Sequence, residues 1–120
     1  MKEAPTAGLE AHIRARLKEK PLLIMAHAVA GYPSADDNKR MLESMEAAGV
    51  DLVELQLPFS EPIADGPLFV KANQEAILSG MRWEPYFELL AWTARSCSFP
   101  VLCMGYYNSA FRMGETVFCE

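Results

Sequence analysis

Two carboxylates set the question of function. Glu54 lies in the stretch Leu52 to Leu57, where Leu52, Glu54 and Gln56 alternate with Val53, Leu55 and Leu57 as a period-two strand requires. Asp65 lies eleven residues on, in a segment from Pro58 to Pro67 that carries three prolines and Gly66 and so must leave the strand as an irregular loop. One carboxylate aimed from a strand and a second on the loop that follows can converge on one small molecule, the minimum for general acid and base chemistry. The plainer readings are a solvated edge glutamate and an Asp-Gly turn. The surrounding elements decide between them.

Around this stretch the chain reads as strands alternating with helices. Leu9, Ile13 and Leu17 recur at four-residue spacing among charged residues and predict an amphipathic helix over 7–19, ended by Pro21. Leu22 to Val29 is a nearly continuous apolar run, the pattern of a parallel strand covered on both faces, broken by Gly31-Tyr32-Pro33. Ser34 or Asp36 can cap the next helix, with Met41, Leu42, Met45 and Ala48 facing the core and Gly49 closing it. After the strand at 51–57 and its loop, Phe69, Val70, Asn73, Ala76 and Ile77 predict a short extra helix ending at Gly80. A main helix over 83–95 follows, with Pro85 in its first turn and Phe87, Leu90, Ala91 and Ala94 inward. Phe99 to Tyr106 reads as a third strand, closed by Gly105 and Asn108, and Gly114 to Glu120 begins a further helical segment.

This order implies an α/β fold with right-handed crossovers and a parallel sheet. The interval from the second strand to the third exceeds that from the first to the second, and the surplus falls directly after Glu54. In parallel α/β folds ligands bind at the carboxyl ends of strands, where the strand-to-helix loops gather, so the enlarged loop stands in the functional position. A (β/α)8 TIM barrel needs about 250 residues. The expectation is therefore a single partial barrel domain over residues 1–120: an N-terminal helix, three parallel strands with their helices, and the start of another helix.

Composition narrows the classes of function. The chain has 120 residues, 51% hydrophobic and 22% charged, with a net charge of −5. That is an ordinary globular composition and offers no overall attraction for nucleic acid or an anionic membrane. No apolar run is long enough to span a bilayer and no signal core follows Lys2 and Glu3, which reads as a cytoplasmic protein. Cys97, Cys103 and Cys119 fit no metal spacing and read as reduced, buried thiols. His12 reads as a partly exposed helix residue, His27 as a satisfied core residue, and Trp83 and Trp92 as packing residues.

The motifs resemble those of the tryptophan synthase alpha chain family. Its pattern after the second strand reads Glu-Leu-Gly, two residues, Phe-Ser-Asp-Pro, two residues, Asp-Gly-Pro; here the run is Glu54-Leu55-Gln56-Leu57-Pro58-Phe59-Ser60-Glu61-Pro62-Ile63-Ala64-Asp65-Gly66-Pro67. Ala30-Gly31-Tyr32-Pro33-Ser34 resembles the motif after the family's first strand, and Met104-Gly105-Tyr106-Tyr107-Asn108 the end of its third. The resemblance implies a (β/α)8 barrel that cleaves indole-3-glycerol phosphate to indole and glyceraldehyde 3-phosphate without metal or organic cofactor. It implies Glu54 as general acid and base, Asp65 as the carboxylate that receives the indole N–H, and Tyr106 as a substrate-binding residue, with Tyr107 competing for that place. It also implies a tryptophan synthase beta chain as partner in an alpha2beta2 assembly.

Two departures bear on these expectations. Gln56 replaces a glycine beside the catalytic position, on the face that Glu54 shares, and is expected to narrow the substrate slot. Glu61 replaces an aspartate in the loop that meets the beta chain in the family. The family's glycine-rich phosphate loops follow later strands than the three read here. Besides the coupled enzyme, the sequence is compatible with a stand-alone lyase and with a truncated, non-catalytic homologue that pairs its open strands with a partner.

Overall fold

A computed structural model describes residues 8–120 as a three-stranded parallel sheet with helices. In chain order the elements are α1 (Leu9–Leu17), β1 (Met25–Val29), α2 (Ala35–Ala47), β2 (Leu52–Gln56), α3 (Pro67–Leu78), α4 (Trp83–Ser96), β3 (Val101–Met104), α5 (Tyr107–Met113) and α6 (Glu115–Cys119). The sheet order is β1-β2-β3. This is a partial (β/α) barrel.

The register fixes what each side chain can reach. Met25, Ala26, His27, Ala28 and Val29 stand beside Leu52, Val53, Glu54, Leu55 and Gln56, and Val53 to Gln56 stand beside Val101 to Met104. Because strand side chains alternate, one face carries His27, Glu54 and Leu102 in a single row, with Val29, Gln56 and Met104 in the next. The opposite face carries Ala28, Val53 and Leu55, which join Leu42, Ala72, Ala76, Tyr86, Leu89 and Phe99 in the core. Glu54 therefore stands on the face turned away from that core.

Local chemistry explains the ends of the elements. Ser34 caps α2: its hydroxyl accepts the Asp37 N–H at 3.0 Å. Pro67 begins α3 where its missing N–H costs nothing. Gly31 has φ +84, and a Cβ there would stand 2.7 Å from Met81 Cβ, so the turn after β1 requires glycine both for its backbone and for its room. Asn38, fully buried on α2, holds that turn. Its Oδ1 accepts the Gly31 N–H at 2.6 Å, and its Nδ2 donates to the carbonyls of Val29 and Tyr32 at 3.1 and 3.0 Å. Tyr86 rivets α4 to the sheet by donating to the Leu55 carbonyl at 2.8 Å, and burial pushes its hydroxyl pKa upward.

At the opposite end of the sheet Asp51 is buried against Lys20 at 2.6 Å and Arg16 at 3.0 Å, and accepts the Ile24 N–H at 2.9 Å. Burial alone would raise its pKa; the bonds from Lys20, the Ile24 N–H and Arg16 outweigh that and bring it down to about 2. His12 is half-buried, with Nε2 3.1 Å from the Asp51 carbonyl.

Several expectations are corrected. The Leu9, Ile13, Leu17 stripe of α1 buries no residue, with Leu9 and Leu17 exposed. Strand β1 is shorter than the apolar run, and Leu22, Ile24 and Met25 are exposed because, among the described residues, β1 has only β2 beside it in the sheet. In α2, Leu42 is buried and Met45 packs against the core, whereas Met41 and Ala48 are exposed. In α4 the fully buried stripe is Tyr86, Leu89 and Thr93, anchored by the Tyr86 hydroxyl on the sheet backbone; of the residues expected inward, Phe87 and Leu90 are half-buried and pack against the core, Ala94 is half-buried, and Ala91 is exposed. Cys97 is buried, but Cys103 and Cys119 are exposed. Residues 105–113 form a turn and α5 where strand end and loop were expected.

Candidate active site

Asp65 and the carboxyl end of β2 come together over the sheet face that carries Glu54. The loop after β2 is tied at both ends. Leu57 N–H continues the ladder to the Met104 carbonyl at 2.8 Å, and Phe59 N–H donates to Oδ1 of buried Asn73 on α3 at 2.9 Å. Within the loop, the Asp65 N–H closes a turn onto the Pro62 carbonyl at 3.0 Å. This folds the segment back so that Asp65 Oδ2 accepts from Gln56 Nε2 at 3.2 Å and faces the Tyr106 hydroxyl at 3.5 Å.

Tyr106 precedes α5 and reaches back over the same loop. Its hydroxyl accepts the Ala64 N–H at 3.2 Å, and its ring stacks on Phe59 with centroids 4.7 Å apart. Of the two adjacent tyrosines, Tyr106 is half-buried at Asp65 while Tyr107 is exposed. Glu54 is half-buried in the row between His27 and Leu102, on the face of Gln56. The arrangement offers a strand carboxylate, a loop carboxylate and a phenol around the carboxyl ends of β2 and β3, flanked by aliphatic and aromatic side chains.

Two polar atoms here are buried without a hydrogen-bond partner: His27 Nε2 and Gln56 Oε1. His27 is thus not the satisfied core residue expected from sequence; its ring packs edge-on against Phe69 at 5.0 Å, on the sheet face of Glu54. Gln56 is only 1% exposed, its amide turned to Asp65. Among the described residues no group of three or more His, Cys, Asp or Glu could hold a metal ion.

Residues 13–120 match the family profile described as tryptophan synthase alpha chain. The chain belongs to the tryptophan synthase alpha chain family. It is 48% identical over 110 residues to the tryptophan synthase alpha chain of Desulforapulum autotrophicum, covering 92% of this chain and 44% of that one. In fold it resembles the crystal structure of tryptophan synthase subunit alpha from Legionella pneumophila, with a TM-score of 0.82 at 23% identity over 91% of this chain and 42% of the other. It also resembles a chain of the tryptophan synthase complex from Pyrococcus furiosus, with a TM-score of 0.74 at 28% identity over 80% of this chain and 40% of that one. The chain thus spans less than half the length of these alpha-family proteins.

Family membership gives the site its frame. Sequence reasoning named Glu54, Asp65 and Tyr106, and the structure brings Asp65 and Tyr106 into contact at the end of the strand that carries Glu54. It did not foresee the Gln56 bond to Asp65, the Asn73 anchor of Phe59, or the unpartnered His27 nitrogen. Asn73 had a legible signal: a polar residue within an otherwise apolar helical stripe is buried only where it finds partners.

Proposed function

We propose that this chain carries the catalytic carboxylates of an indole-3-glycerol phosphate lyase of the tryptophan synthase alpha type. The observation that carries the reading is the joining of Asp65, Gln56 and Tyr106 over the β2 face that bears Glu54, in a chain of this family. The reaction is a retro-aldol cleavage. Indole departs only once its C3 is protonated, and that step places positive charge on the ring nitrogen.

Asp65 supplies a negative charge for that nitrogen, and a fixed carboxylate at a site of developing charge lowers the barrier without reorganising. Glu54 transfers the protons: one to indole C3, one from the glycerol hydroxyl whose carbon becomes the aldehyde. The sum is balanced, since the C–C bond breaks, the carbonyl forms and no electrons are gained or lost overall. Tyr106 bounds the indole slot and orients Asp65. The chemistry runs on side chains alone, without metal or organic cofactor.

A beta chain is the proposed partner, a reading supported by the likeness to a chain of a tryptophan synthase complex, and the cytoplasm is the proposed compartment. The edges β1 and β3, and an apolar groove of about 720 Å³ lined by Trp83, Phe87, Leu90, Met113 and Phe118, are where further barrel elements would pack and complete the site. The test is indole release from indole-3-glycerol phosphate by the intact polypeptide that carries these residues. Turnover that falls by at least about a hundredfold in both Glu54→Gln and Asp65→Asn supports the reading. Turnover indifferent to both substitutions overturns it.

A further inference from the structure

Gln56 stands at the carboxyl end of β2, and the structure gives it a partner of consequence. Its side chain is 1% exposed at the end of β2, and Nε2 donates to Asp65 Oδ2 at 3.2 Å. Asp65 itself is half-buried on a proline-rich loop, and its other contact with a side chain, from the Tyr106 hydroxyl at 3.5 Å, is at the long limit of a hydrogen bond. A loop carboxylate is held to productive geometry only by a neighbour on a rigid element. Gln56 is that neighbour.

The orientation of the amide follows from the same contact. Among the described residues Oε1 is buried without a partner while Nε2 faces the carboxylate, so the hydrogen bond that orients the buried amide there is the one to Asp65. A buried polar atom left unpaired opposes folding. A glutamine serving only to fill space would be replaced without loss by an apolar side chain of equal length.

We propose that Gln56 is a positioning residue for Asp65: from the rigid end of β2 it holds Oδ2 and leaves Oδ1 turned to the ring N–H of the ligand. This rests on the reading of Asp65 as the acceptor of that N–H. Gln56 acts through Asp65 and touches no reacting atom.

The test is a double-mutant cycle in the intact polypeptide that carries these residues, using Gln56→Met, Asp65→Ala and both together. Turnover of indole-3-glycerol phosphate and binding of indole are both measured. Gln56→Met should lower kcat about tenfold with KM changed by less than about threefold, and weaken indole binding about fivefold. In the Asp65→Ala background the same substitution should change either quantity by less than about twofold, because the group through which it acts is gone. Equal losses in both backgrounds, or no loss from Gln56→Met where Asp65 is intact, would overturn the proposal.

A readout independent of turnover separates this proposal from the functional reading. The side-chain amide resonance of Gln56 should shift and exchange faster with water in Asp65→Ala, even in a protein that cleaves nothing. An unmoved resonance would mean that Gln56 does not hold Asp65.

Discussion

Phe59 and Tyr106 stack with ring centroids 4.7 Å apart and 18° between their planes, binding the loop after β2 to the turn after β3. The contact joins two strand ends that are distant in sequence but adjacent in the sheet. It also fixes the height at which the Tyr106 hydroxyl meets Ala64 and Asp65.

Removing the hydroxyl and removing the stack should therefore have different consequences. Tyr106→Phe keeps the aromatic pair and loses the acceptor for the Ala64 N–H and the contact with Asp65, so kcat should fall roughly three- to tenfold with little change in Tm. Phe59→Ala loses an aromatic contact of about 1 kcal/mol and loosens the loop, so KM should rise. Steady-state kinetics and thermal melts on both variants check this; identical effects would contradict the division of roles.

His27 carries a buried ring nitrogen without a partner on the sheet face of Glu54. His27→Phe should retain the edge contact with Phe69 and remove the unpaired nitrogen, raising stability by roughly 1 kcal/mol. Urea unfolding measures it. A loss of more than about 1 kcal/mol would mean that the nitrogen has a partner in solution.

Asp51 should impose a pH dependence on stability. Its carboxyl titrates near 2 in the folded chain against the ordinary 3.8, so the unfolded chain takes up its proton first as the solution is acidified. The stabilisation is complete above about pH 4 and is lost as pH falls toward 2. Asp51→Asn, which weakens the bonds to Lys20 and Arg16, should cost about 2 kcal/mol at pH 7 and flatten the pH dependence in that window. Denaturant titrations at pH 2.5 to 7 test both; an unchanged slope would exclude Asp51 as its source.

Asn38 should matter more to folding than a single polar residue on a helix suggests. Asn38→Ala leaves the Gly31 N–H and the Val29 and Tyr32 carbonyls without their partner at the turn after β1, at a cost of about 3 kcal/mol. Chemical denaturation measures it, and a loss below about 1 kcal/mol would show that the turn holds itself.

Much of this was legible from the chain because it depends on local chemistry. Period-two alternation located β2, the proline-rich run located its loop, and Ser34 marked a helix start. Side-chain destinations set by distant partners were not legible. The inward face of α4 follows Tyr86, whose partner is the Leu55 carbonyl 31 residues away. Glu54, Asp65 and Tyr106 were read from their motifs, whereas the contact between Gln56 and Asp65 arises from a loop closure that no spacing rule specifies. The exposure of Leu9, Leu17 and Ile24 was likewise hidden, because apolar periodicity reports what a surface can pack against and not what is present beside it.

The central claim is that Glu54 transfers the protons that release indole. Its most direct test is single-turnover cleavage of indole-3-glycerol phosphate in deuterated water by the intact polypeptide that carries these residues, comparing it with Glu54→Gln. The account predicts indole bearing deuterium at C3 from the unaltered chain, and none formed at a measurable rate by Glu54→Gln even though it still binds indole. Deuterated indole released by Glu54→Gln at an undiminished rate would contradict it.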